Sequence, residues 1–142
     1  MDSLQAVVGV LEIPKIGFGT YKLTTREELF PALEAAIQAG YRMIDTAQLY
    51  KNEALIAEFI YEILPGMGIT RQDLWITTKV PFFTMIKGNE AKIREGIEQS
   101  IRLFGGHVDL YLIHSYTKYD QLVWRILREY QTAPDESHGL LW

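Results

Sequence analysis

Apolar positions along the chain follow two alternating rhythms. Four short runs rich in β-branched residues, at 16–20, 41–45, 74–79 and 108–114, read as strands. After each of them the apolar spacing shifts to the three-to-four period of a helix. The first helical stretch opens at Thr25, with Glu28 placed for a capping box. Pro31 is tolerated in a first turn but not deep inside, so the regular helix is allowed to start as late as Pro31. Leu33, Ala36 and Ile37 form its buried stripe, and Gly40 suits the left-handed position that ends it.

The second helix is expected over 52–64, with Leu55, Ile56, Phe59, Ile60 and Ile63 on one face and Pro65-Gly66 as its stop. Thr70 to Asp73 reads as a capped turn into the third strand. The third helix begins near Asn89, buries Ile93, Ile97, Ile101 and Phe104, and ends at Gly105-Gly106. The fourth covers about 119–130, with Leu122, Val123, Ile126 and Leu127 in register. Residues 7–13 suggest a small hairpin turning near Gly9, and residues 131–142 have no clear period.

Four strand–helix alternations imply an α/β fold with parallel strands joined by right-handed crossovers. Both a doubly wound sheet and part of a (β/α)8 barrel satisfy that pattern. A whole barrel takes about 250 residues, so 142 residues hold at most half of one.

Composition narrows the function. A chain that is 48% hydrophobic and 23% charged is that of a globular, soluble protein. Its net charge of -4 lacks the basic footprint of a nucleic-acid binder. There are no cysteines, which excludes disulfides and thiolate chemistry. His107, His114 and His138 lack metal-ligand spacing, so no metal is expected. Neither a signal peptide nor a membrane-spanning run is visible, and the expected location is cytoplasmic.

The chemistry gathers at strand ends. Asp45 closes the second strand, Tyr50 follows in the next loop, Lys79 closes the third strand and His114 the fourth. In parallel α/β folds those ends face one crevice. Each residue has an ordinary explanation: a cap for Asp45, a packed ring for Tyr50, a satisfied core histidine for His114. Lys79 is the hardest to explain so, because a lysine ending an apolar strand must reach water or an anion. A tyrosine hydroxyl is a poor acid at neutral pH, but a nearby ammonium favours its phenolate, and a carboxylate holds that ammonium charged. Asp45 would position Lys79, Lys79 would tune Tyr50, Tyr50 would give a proton to a developing alkoxide, and His114 would orient a carbonyl. Such a set has no electron source of its own and needs a bound hydride donor. An aldolase with Lys79 as Schiff-base nucleophile is a further reading of the same lysine.

Ile16-Gly-Phe-Gly-Thr-Tyr21 and Ala39-Gly-Tyr-Arg-Met-Ile-Asp-Thr-Ala-Gln-Leu-Tyr-Lys-Asn-Glu53 resemble the opening of the aldo-keto reductase family. Leu74-Trp-Ile-Thr-Thr-Lys79 and Val108-Asp-Leu-Tyr-Leu-Ile-His114 are similar to its later signatures, in order. The likeness covers about residues 13–130 of a single domain, leaving 131–142 as a divergent tail. It implies the first half of a (β/α)8 barrel and NADPH-linked reduction of aldehydes or ketones, with NADH as the alternative donor. It implies Asp45, Tyr50, Lys79 and His114 as the catalytic set. It implies Gly19, Thr20, Tyr21 and Asp45 along the nicotinamide end, and Tyr21, Leu49, Tyr50 and His114 around the carbonyl substrate. Gly17-Phe-Gly19 is no dinucleotide fingerprint, since Lys22 stands where its third glycine belongs; close backbone approach explains it instead. Ser115-Tyr116 departs from the aromatic and proline that usually follow the histidine, and Pro81 replaces a bulkier residue.

In the family the adenosine-phosphate contacts lie in the second half of the barrel, so 142 residues alone are expected to turn over weakly. The alternative is a truncated or regulatory module without turnover. Exposed edges at the first and fourth strands point to homodimer pairing.

Overall fold

A computed structural model describes residues 13–81 and 88–131. Strands β1 (Phe18–Gly19), β2 (Met43–Asp45), β3 (Trp75–Val80) and β4 (Leu110–Ile113) pair in parallel in the order β1-β2-β3-β4. A doubly wound sheet would reverse its order at a switch point. The sequential order here is that of a barrel wall. The expected hairpin at 7–13 and the tail from 131 fall outside the described residues, apart from Ile13 and Gln131 themselves.

Helix α1 (Arg26–Gln38) begins at a Thr25 cap whose side chain accepts from Glu28 N at 3.3 Å. Pro31 lies inside this helix and does not start it, a correction to the sequence reading. One missing backbone hydrogen bond is outweighed by the cap, by Glu27 and Glu28 at the positive end of the helix, and by complete burial of Leu29 and Leu33. The anticipated stripe of Leu33, Ala36 and Ile37 is buried, and Gly40 adopts φ +94°.

Helix α2 (Glu53–Glu58) widens into a π turn over Phe59–Ile63 and then tightens to a 3-10 turn over Leu64–Met67. The expected stop at Pro65-Gly66 is therefore passed. Proline without its N–H suits the first turn of the 3-10 segment, and the chain turns only at Gly68, at φ +72°. Helices α3 (Glu90–Leu103) and α4 (Asp120–Tyr130) match the sequence reading to within a residue or two. Asn89 caps α3 through Lys92 N at 3.1 Å.

The core lies between one face of the sheet and these helices. Ile44, Ile76 and Tyr111, from neighbouring strands, are each almost completely buried there against Leu33, Ile56, Phe59, Ile97 and Ile126. Thr70 and Asp73 form the expected capping box before β3. In the same turn, buried Arg71 donates to the carbonyls of Phe104, Leu74 and His107 and to Asp109 Oδ2 at 2.7 Å. Asp109 also accepts from Ile76 N at 2.7 Å. This clamp fixes the beginnings of β3 and β4 against each other, and through them the strand ends where the chemistry gathers.

Candidate active site

Register decides which side chains meet. Asp45 pairs with Thr77, and Lys79 pairs with Leu112. Side chains alternate with a period of two, so Asp45, Lys79 and His114 fall on one face of the sheet, opposite the helices. Lys79 Nζ donates to Asp45 Oδ1 at 2.6 Å and to Thr46 O at 2.8 Å. The lysine side chain is 13% exposed and the aspartate 34%, so the ammonium is mostly shielded while its carboxylate still reaches the opening.

Tyr50 arrives from a different direction. A 3-10 turn, Gln48–Tyr50, follows β2 and ends at Lys51 in the left-handed region, φ 57°. A side chain in that region costs conformational energy and persists only where its surroundings fix it. The turn brings the Tyr50 ring to 5.1 Å from Lys79 Nζ and 5.6 Å from the His114 ring, edge to face. Tyr21, largely exposed, leans on the outer side of Tyr50 at 5.0 Å. All four sequence-derived catalytic positions thus meet at one end of the sheet.

Burial and, second, the Lys79 charge hold the His114 imidazole below its ordinary range, with Asp45 opposing. The ring is neutral at neutral pH. Its Nδ1 is buried and, among the described residues, without a hydrogen-bond partner. A neutral imidazole in such a place suits an uncharged polar group such as a carbonyl.

The positions anticipated for cofactor and substrate divide by exposure. A Cβ built on Gly19 meets nothing within 4 Å, so the end of β1 is open. A Cβ on Gly17 would come within 2.9 Å of the Met43 side chain and of no backbone atom, so the expected close backbone approach is not what the two glycines serve here. Thr20 is fully buried, its hydroxyl donating to Asp45 O at 3.1 Å. What it does in this structure is tie the end of β1 to the end of β2. Leu49 is partly buried on the Tyr50 turn.

Sequence reasoning missed Asn52. Its amide donates to Thr20 O and Leu23 O, both at 2.9 Å, and its oxygen accepts from Thr46 Oγ1 at 2.8 Å. It looked like the first residue of a helix; instead it staples the loop after β1 to the connection after β2. Among the described residues no cluster of three potential metal ligands exists, and no helix is long and apolar enough to cross a membrane.

The model of the aldo/keto reductase family matches residues 15–133. A glyoxal reductase of Bacillus subtilis is 36% identical over 130 residues, 90% of this chain and 44% of that protein. An aldo/keto reductase structure from Brucella melitensis superposes with a TM-score of 0.67 at 31% identity, covering 84% of this chain and 45% of that one. A Bombyx mori aldo-keto reductase in complex with NADP gives 0.67 at 28% identity, over 84% of this chain and 43% of that one. The chain spans between 34% and 44% of the length of the curated relatives it matches.

Proposed function

The chain belongs to the aldo/keto reductase family, and on that premise we propose that it provides the proton-handling half of a carbonyl reductase, turning aldehydes or ketones into alcohols. The observation that carries this reading is the meeting of Asp45, Lys79, Tyr50 and His114 at one strand-end crevice, with Lys79 shared between the carboxylate and the phenol ring.

The residues fit a nicotinamide dinucleotide. The end of β1 is open at Gly19, Tyr21 is exposed beside it, the Asp45 carboxylate is partly accessible, and His114 Nδ1 is a buried polar atom without a partner among the described residues. Gly19, Tyr21 and Asp45 would hold its nicotinamide end, with NADPH as the preferred form, and buried Thr20 would serve them from behind by tying the end of β1 to the end of β2. When bound, that cofactor supplies the hydride that the protein's own side chains lack. Tyr21, Leu49, Tyr50 and His114 would surround the substrate.

The chain's own residues handle the rest. Neutral His114 donates a hydrogen bond to the substrate oxygen and orients it. Tyr50 gives its hydroxyl proton to that oxygen as negative charge grows there. The Lys79 ammonium, held by Asp45 and by Thr46 O, stabilises the charge left on Tyr50. Glyoxal reduction by the Bacillus subtilis relative makes small dicarbonyls the first substrates to try.

The test is a completed barrel. Residues 15–133, exchanged for the matching part of a family member, should support NADPH-dependent reduction of glyoxal. A folded exchange protein that binds NADPH but reduces no aldehyde would overturn the proposal.

A further inference from the structure

Behind the sheet, on the face away from Lys79, lies a buried polar network that the chemistry above does not use. Glu53, in the first turn of α2, accepts from Thr78 Oγ1 at 2.6 Å and from Ser100 Oγ at 3.0 and 3.1 Å. Tyr111 Oη donates to Ser100 Oγ at 3.2 Å. Gln48 Nε2 donates toward Tyr111 Oη, to Gly96 O at 2.7 Å and to Ser100 Oγ at 3.1 Å. Gly96 is required for this seat: a Cβ there would stand 2.7 Å from Gln48 Oε1. Burial pushes the Glu53 carboxyl and the Tyr111 phenol up from their ordinary values, against the hydrogen bonds they receive.

A core can be filled more cheaply with apolar side chains, and a half-satisfied polar set is worse than none. Here the polar atoms are partnered and join distant segments, 63 residues apart for Gln48 and Tyr111. Their positions match those of the site. Gln48 opens the turn that ends in Tyr50, Thr78 directly precedes Lys79, and Tyr111 lies on the strand that leads to His114. The turn itself ends in a left-handed lysine, so its own backbone does not favour the shape it holds.

We infer that Gln48, Glu53, Ser100 and Tyr111 form a positioning device that locks the Tyr50 turn to β3 and β4 and so sets the Tyr50 ring against Lys79 and His114 from behind the sheet. The inference rests on the catalytic reading of Tyr50, Lys79 and His114. None of the four residues touches the crevice; each acts through its neighbour.

The experiment is nuclear magnetic resonance on the 142-residue chain with labelled tyrosine and histidine rings. It follows cross-relaxation between Tyr50 and His114 and the exchange protection of the Ile76 amide. Gln48→Ala should weaken the ring cross-peak severalfold and broaden the His114 signals while Ile76 stays protected. Glu53→Gln, which still accepts from Thr78, should keep the ring contact. A side chain that merely fills space would leave the ring pair intact in Gln48→Ala, and that result overturns the inference. Should Gln48→Ala lose Ile76 protection, Tyr111→Phe, which keeps the ring volume, is judged by the same two outcomes. In a completed barrel, Gln48→Ala should lower kcat by up to about 100-fold with KM little changed, the signature of misplaced catalytic groups. The two readings fail separately. Full activity in Tyr50→Phe strikes the function and leaves the ring measurement standing; unchanged rings strike only the positioning.

Discussion

Replacing Arg71 by methionine removes the cation from the clamp that joins β3 to β4 while keeping most of the side chain's volume. Arg71 is 5% exposed and its guanidinium serves four acceptors: the carbonyls of Phe104, Leu74 and His107, and Asp109 Oδ2. Methionine leaves those three carbonyls short of a donor and the Asp109 carboxylate, itself 7% exposed, with Ile76 N and the more distant His107 imidazole, 3.7 Å from Oδ1, beside it. Removing one member of a buried ion pair costs about 3–5 kcal/mol, because the other charge stays buried and uncompensated. Domains of this kind are stable by about 5–15 kcal/mol in total, so the variant should sit close to unfolding. Urea denaturation followed by far-ultraviolet circular dichroism measures the difference. The double variant Arg71→Met, Asp109→Leu should recover part of the loss by removing the stranded charge, though Ile76 N then lacks its acceptor. A loss below about 1 kcal/mol, the size of an exposed pair, would show that the clamp does not hold the two strands.

Lys79→Met in a completed barrel should cut reduction by about 10²–10⁴-fold, while its effect on chemical denaturation stays near 1 kcal/mol or less because Asp45 is a third exposed. Acidification should destabilise the chain through His114. Its folded value is depressed, so the unfolded chain takes up the proton first as pH falls from about 6.5, and stability present above that pH is lost down through the folded value. Thermal melts across that range should show a slope that His114→Gln reduces. Glu53 works in the opposite sense: its folded value is raised, so the stability contributed by its protonated form is lost as pH rises through that value, and Glu53→Gln should flatten that part of the profile. Fluorescence titration of the 142-residue chain with NADPH should show weak binding. The contacts proposed here reach only the nicotinamide end, and each charge-assisted phosphate contact is worth about 1.5–3 kcal/mol; micromolar affinity would contradict that division.

The strand–helix alternation was legible because apolar period and β-branching are local properties; three strands of the structure lie within their sequence runs, and β3 passes the end of its run by one residue, Val80. That Asp45, Lys79 and His114 would meet at one end of the sheet was legible for a related reason: each stands at the end of an apolar run, and parallel strands bring those ends together. Proline was given too much weight at two helix ends, although the first helix does open at the Thr25 cap read from the sequence. Pro31 is carried inside α1 by the cap before it and by the buried leucines around it. Pro65 falls where the helix has already changed its hydrogen-bond pattern. Asn52, Gln48 and Glu53 were hidden for a different cause. Each stands beside a helix start, where polar residues ordinarily serve as caps, and each finds partners 25 or more residues away. No local pattern carries that information; it exists only once the strands are paired. Arg71 was hidden in the same way, inside a turn whose capping box was correctly read from Thr70 and Asp73.

The central claim is that Tyr50 delivers the proton, supported by Lys79 and Asp45. Tyr50→Phe keeps the ring that packs on Tyr21 and His114 and removes only the hydroxyl. Measured as kcat for NADPH-dependent glyoxal reduction in a completed barrel, it should fall by about 10²–10⁴-fold, with NADPH affinity unchanged. A Tyr50→Phe barrel that reduces glyoxal at the parent rate would contradict the account, since Tyr50 is the residue whose ring lies beside both Lys79 Nζ and His114.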